Sequence, residues 1–107
     1  MAQDFTRYKA RLTGTSAATL FTANSNDTIV GISVANVTAT AVNADVFIND
    51  GSNDFYLVKN APIPAGSALQ VLDGGAKVVV QNNDILKVKS DTASSLDVWI
   101  STVDAIS

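Results

Sequence analysis

Apolar and polar residues alternate with a period of two along almost the whole chain. The clearest run is Leu96-Asp97-Val98-Trp99-Ile100-Ser101, in which Leu96, Val98 and Ile100 share one side and Asp97, Trp99 and Ser101 the other. Successive side chains of an extended strand point to opposite faces, so this is the pattern of a half-buried β-strand and not of a helix. It recurs upstream. Tyr8, Ala10 and Leu12 share a face opposite Arg7, Lys9 and Arg11. Val30, Ile32 and Val34 share a face opposite Gly31, Ser33 and Ala35, a set small enough for another layer or chain to approach closely. Val46 and Ile48, Leu69 and Val71, and Val78 and Val80 are further inward pairs.

Turn residues separate these runs. Gly14-Thr15-Ser16, Asn24-Ser25-Asn26-Asp27, Asn82-Asn83-Asp84 and Asp91-Thr92-Ala93-Ser94 are clusters whose short polar side chains bond their own backbone. Asp50-Gly51 between two β runs signals a hairpin. Asp73-Gly74-Gly75 is expected to turn the run 67–72 back onto 77–81. Residues 60–66 hold Pro62 and Pro64, which lack an N–H and cannot lie in a central strand.

Short strands at nearly regular spacing predict an all-β chain. The expected form is an antiparallel two-sheet sandwich (jelly-roll-like) or a small barrel of about eight strands. At 107 residues the chain is read as one domain, 1–107. A domain of that size buries roughly two-thirds of its unfolded surface. Residues 1–4 are expected to form a flexible arm and 104–107 a flexible tail.

Composition then narrows function. The chain holds no His, no Cys and no Glu. Without an imidazole the Ser-His-Asp template is closed. Without His or Cys a zinc site has no preferred ligands, and without Cys there is neither a disulfide nor a thiolate nucleophile. A pair of Asp could in principle serve a glycosidase, but all ten acidic residues are read as lying in turns or on outward strand positions. Gly74-Gly75 lacks the spacing and the Lys-Ser/Thr of a phosphate loop. The oxygens of residues 49–54 do not match a helical calcium loop and read as a plain hairpin turn. The expectation is a protein that is not an enzyme, with no catalytic residue, metal or cofactor.

Charged residues make up 16% of the chain, against roughly 25% in an average globular protein. That deficit fits a surface covered by other subunits, or one solubilised by Thr, Ser and Asn. The net charge of −3 does not favour nucleic acid. No run approaches the ~18 apolar residues of a membrane span. Met1-Ala2-Gln3-Asp4 lacks a basic segment leading into an apolar run, so export by a signal peptide is not expected.

Two features stand out as contact candidates. Arg7, Lys9 and Arg11 place three positive charges on one strand face. They fit a solvated edge strand that discourages pairing, or a contact to an acidic neighbour. Trp99 alternates away from the inward face and fits an interface anchor, or a ring covered by a loop or the N-terminal strand. Phe5, Tyr8 and Phe21 carry the same ambiguity, with core packing favoured.

The second half adds a resemblance. Ile63-Pro64-Ala65-Gly66 precedes a short strand, Asn82-Asn83-Asp84-Ile85-Leu86-Lys87-Val88 forms a turn and strand, and Leu96 to Ser101 closes the series. Upstream, residues 29–36 form an apolar strand ending in Asn36. Over roughly residues 29–103 this resembles the small all-β virion structural proteins of tailed bacteriophages, including cyanobacterial phages, with their capsid decoration or cement proteins. Asn83 stands where the glycine of their "G-D" turn is usual, so it must accept a left-handed backbone.

The resemblance implies a non-enzymatic virion structural protein, with capsid decoration by bridging of capsomers first. A tail, neck or fibre-adaptor component is the alternative. It implies other virion proteins as partners, the major capsid protein favoured, and a homo-oligomer, trimer favoured. It implies location in the virion, after assembly in the host cytoplasm. From the residues alone, Trp99 with Tyr56 also leaves open a carbohydrate-binding β-sandwich.

Overall fold

The computed structural model describes residues 2–23, 26–72 and 77–106. Among them, nine antiparallel strands form two sheets: β1 (Ala2–Thr13), β2 (Ala18–Thr22), β3 (Asp27–Asn36), β4 (Val42–Asn49), β5 (Asp54–Ile63), β6 (Ala68–Leu72), β7 (Val78–Val80), β8 (Ile85–Ser90) and β9 (Leu96–Ile106). One sheet has the order β1-β9-β3-β6, with β7 also on β3; the other has the order β2-β8-β4-β5. The sheets stack as a sandwich and do not close, so the barrel alternative is excluded.

β6 and β7 do not form the expected hairpin. β6 pairs with residues 32–35 of β3 and β7 with residues 27–29, both antiparallel to it. They are one edge strand interrupted by residues 73–76. Counted as one, they leave eight strands in the orders 1-8-3-6 and 2-7-4-5. This is the interleaving of a jelly roll, in which chain neighbours fall in opposite sheets except for the β4–β5 hairpin.

The core fills the space between the sheets. Ile29, Ile32 and Val34 of β3, and Leu96, Val98 and Ile100 of β9, face Val42, Val46, Leu86 and Val88 of the other sheet. Tyr8 of β1 stacks on Phe21 of β2 with ring centroids 4.4 Å apart, closing one side of the sandwich as expected of both rings.

β-Bulges overturn two face assignments, because one extra residue reverses the alternation beyond it. In β1 the register shifts between Ala10 and Thr13. Leu12 takes φ 54° and is exposed, and Thr13 is buried in place of it. In β3 a shift between Ile29 and Gly31 makes Ile29 the core residue rather than Val30. In β4 the alternation holds: Val46 and Ile48 face inward opposite Val88 and Leu86, and Phe47 is buried on the outer face under Tyr56. Pro62 lies within β5, an edge strand where its missing N–H breaks no ladder. Asp27 is 4% exposed at the start of β3, which corrects the reading of every Asp as outward.

The two ends of the chain pair with each other. The β1–β9 ladder runs out to Ala2↔Ile106, so residues 2–4 and 104–106 are strand and not free arm and tail; Met1 and Ser107 lie outside the described residues.

Asn36 holds one pole of the sandwich. It follows Ile32 and Val34 on the inward face and is 2% exposed. Its Nδ2 donates to the carbonyls of Thr40 (2.8 Å) and Ile63 (3.0 Å), and its Oδ1 accepts from Thr38 N (2.9 Å). Beside it, Ser95 N donates to Thr13 O and Ser90 N to Gly14 O, tying the β8–β9 turn to the end of β1.

Asn83 takes φ 76°, the left-handed backbone expected of it. Its N–H donates to Ala23 O at 2.8 Å. A β-branched side chain is strained there by about 1–2 kcal/mol. Asn83→Val is expected to lower stability by that amount in urea titration, and Asn83→Gly to leave it within a few tenths of a kcal/mol.

Candidate functional site

The two sequence candidates converge on one surface, the outer face of the five-stranded sheet. The pairings Lys9↔Trp99, Ser33↔Trp99 and Ser33↔Gln70 set these residues in one row across β1, β9, β3 and β6. The next row holds Arg7, Ser101 and Gly31. On the far side of Trp99 lie Asp97, Ala35 and Ala68. The floor is therefore made of small side chains, and Trp99 rises from it half-exposed (50%). The reading of Gly31, Ser33 and Ala35 as a face open to close approach describes this floor.

Arg7, Lys9 and Arg11 are all exposed along the edge of the same face. The Arg7 guanidinium carbon lies 5.4 Å from the centre of the Trp99 ring, a cation–π distance that holds both side chains in place. None of the three forms an ion pair with a described residue. Asp97 accepts a 2.9 Å hydrogen bond from Leu12 N at the β1 bulge. This bond joins the bulge to β9 and frames an open groove of about 500 Å³, floored by Ser33 and Ala35, walled by Trp99 and rimmed by Lys9, Arg11 and Asp97.

Towards the opposite pole the same face is apolar. Phe5↔Val103, Val103↔Thr28 and Thr28↔Val79 form a second row, with Phe5 82% and Val79 66% exposed. Phe5 is thus on the surface and not in the core. Sequence alternation carried the signal, since Phe5 has the parity of Arg7 and Lys9.

The remaining exposed aromatics belong to the β4–β5 hairpin. Phe55 and Tyr56 are exposed, and Tyr56 packs on Phe47 under Lys59. Tyr56 and Trp99 lie on different sheets, so the aromatic pairing that a sugar site would need does not form. In the hairpin tip, Asp50 Oδ1 accepts from Ser52 N (2.9 Å) and Asn53 N (2.8 Å), and Gly51 takes φ 102°. These bonds, that from Asn53 foremost, hold the Asp50 carboxyl below its ordinary value. Asp91 is lowered likewise, first by Asn43 N and then by the Thr92 hydroxyl.

A carboxyl lowered in the fold supports stability above its unfolded value of 3.8, and that support is lost as pH falls through the lower folded value. No side chain type in this sequence ordinarily titrates between pH 5 and 8. The melting temperature is expected to be flat over pH 5–8 and to fall below about pH 4. Asp50→Asn and Asp91→Asn should shrink that acid loss. No group of three or more metal-ligating side chains occurs among the described residues.

Fold and face together define an all-β jelly roll with an exposed face of mixed apolar and basic residues and no catalytic constellation among the described residues. No protein-family model matches the chain, and no curated protein matches it in sequence. Two solved structures share its fold. One is the acidic stable capsid structure of Helicobacter pylori bacteriophage KHP30, with TM-score 0.63 at 10% identity, covering 100% of this chain and 90% of that one. The other is from the Bacillus endospore appendages, a family of disulfide-linked pili, with TM-score 0.57 at 19% identity, covering 95% of this chain and 84% of that one. At such identities the likeness is one of fold. This chain has no Cys, so disulfide linkage is closed to it.

Proposed function

We propose that the protein is a non-enzymatic structural component of a virion, working by contact alone. The observation that carries this reading is the outer face of the five-stranded sheet. There, a half-exposed Trp99, an apolar row and a basic stripe with no ion pair among the described residues share one small-residue floor. Exposed apolar surface rimmed by polar groups marks an interaction site. Jelly rolls serve in viral capsid and lectin domains. The separation of Trp99 from Tyr56 disfavours the lectin branch, and the likeness to a phage capsid structure supports the first.

Within the virion we favour capsid decoration. Many copies bridge neighbouring capsomers, with the major capsid protein as principal partner, and with Arg7, Lys9, Arg11 and Trp99 in the contact. Small interfaces repeated many times stabilise a shell through multivalency. A homo-oligomer, trimer favoured, would multiply that effect.

The test is immunogold labelling and a reconstruction of particles from cells carrying the gene. Label on the head supports decoration. Label on tail, neck or fibre moves the protein to the alternative role. Absence from the particles overturns the proposal.

A further inference from the structure

The groove beside Trp99 lies towards one pole of the sandwich, near the turns 14–17 and 91–95. The β4–β5 hairpin tip, residues 50–53, lies at the other. The register requires this, since Asn49 pairs with Ile85 while Ala44 pairs with Ser90, next to the turn bonded to Gly14. The long dimension of the molecule is 46 Å, so a chain cannot place its own hairpin in its own groove.

Charge separates the same two regions. The groove edge holds Arg7, Lys9 and Arg11 against Asp97 alone. Elsewhere, Lys59, Lys77, Lys87 and Lys89 are outnumbered by the other aspartates. The hairpin tip carries Asp50 and Asp54 with no cation between residues 49 and 55, and presents Phe55, 57% exposed, directly beside them. An aromatic flanked by carboxylates complements an aromatic-walled groove rimmed by Lys9 and Arg11. Two copies meeting groove to groove would instead oppose like charges, which costs specificity and affinity.

We infer that the groove beside Trp99 receives the β4–β5 hairpin tip of a second copy of this chain, so that copies associate head to tail. Phe55 packs on Trp99 and Ala35, and the carboxylates of Asp50 and Asp54 meet Arg11 and Lys9. Such a heterologous contact closes into a ring, of which a trimer is one case, or grows as a filament. The inference rests on the proposed function in one respect, that the outer sheet face is a contact surface. It gives the groove of that face to a second copy and leaves the rest of the face, from Arg7 to the apolar row of Phe5 and Val79, to the capsid protein.

Sedimentation velocity on the purified protein, from about 1 μM to 1 mM and at low and high salt, tests it. Concentration-dependent association that weakens with salt is expected. Trp99→Ala and Phe55→Ala should each weaken it about thirty-fold, the loss of one interface anchor. A groove reversal (Lys9→Asp with Arg11→Asp) and a hairpin reversal (Asp50→Lys with Asp54→Lys) should each abolish association alone. Mixed together they should restore it, because each supplies the complement of the other. Melting curves check that each variant stays folded, Asp50→Lys above all, since it removes the two turn bonds of the hairpin tip.

Wild-type protein that stays monomeric throughout overturns the inference. So does association sensitive to the groove reversal but not to the hairpin reversal. If particles still bind wild-type protein and reject the groove reversal, the proposed function stands while the inference fails. If particles carry no copies, the proposed function fails whatever the sedimentation shows.

Discussion

Asn36→Asp is expected to destabilise the fold by about 3–5 kcal/mol, the cost of leaving a buried charge without a partner. The substitution changes one atom of a nearly inaccessible side chain. It removes the two donors that now satisfy the carbonyls of Thr40 and Ile63, and sets an acceptor against them. Thr38 can still donate, but no cation stands opposite. The melting temperature should fall by more than about 10 °C.

The pH dependence gives a second reading. Burial among carbonyls raises the pKa of the new carboxyl, so it binds a proton in the fold more readily than in the unfolded chain. The variant should therefore recover relative to wild type as pH falls towards 5. Wild type gains nothing over that range, and its lowered Asp50 and Asp91 make it lose stability further down. A variant whose deficit is constant with pH would contradict burial of Asn36.

Ile100→Ala is expected to cost about 2–5 kcal/mol by denaturant titration. Ile100 is wholly buried in β9 and pairs with Tyr8 on one side and Ile32 on the other. Its removal opens a cavity between the two central strands of the sheet and the stacked Tyr8–Phe21 pair. Ser101→Ala, one residue on, faces outward and should change stability by less than about 0.5 kcal/mol. Near-equal effects at the two positions would mean that the β9 register is wrong.

The strands and most turns are legible in the sequence because each is a local property. Alternation reports a face, and Asp50-Gly51 and Asn83 report backbone conformations that few other residues accept. The exposed outer face of the five-stranded sheet was legible for the same reason, since Arg7, Lys9, Arg11 and Trp99 keep their parity without interruption. Leu12 and Val30 were misplaced because a bulge is a property of two strands, and a single sequence does not show the partner's register. Asp73-Gly74-Gly75 reads locally as a turn, yet β3 is long enough to pair with both flanking segments in succession. The interleaved strand order, and with it the convergence of β1, β9, β3 and β6 on one face, is set by contacts far apart in the chain. Asn36 carried one faint sign, a polar residue at the inward parity of a Val/Ile stripe.

Trp99 is the single tryptophan of the chain, so its fluorescence reports on the outer face of the five-stranded sheet alone. Acrylamide quenching of dilute purified protein, compared with quenching of the protein in its assembled particle, tests the central claim that this face makes the contact. Ready quenching and red-shifted emission in dilute protein, with strong protection and a blue shift on assembly, is the predicted result. Equal quenching in the two states would contradict it and move the contact to another surface.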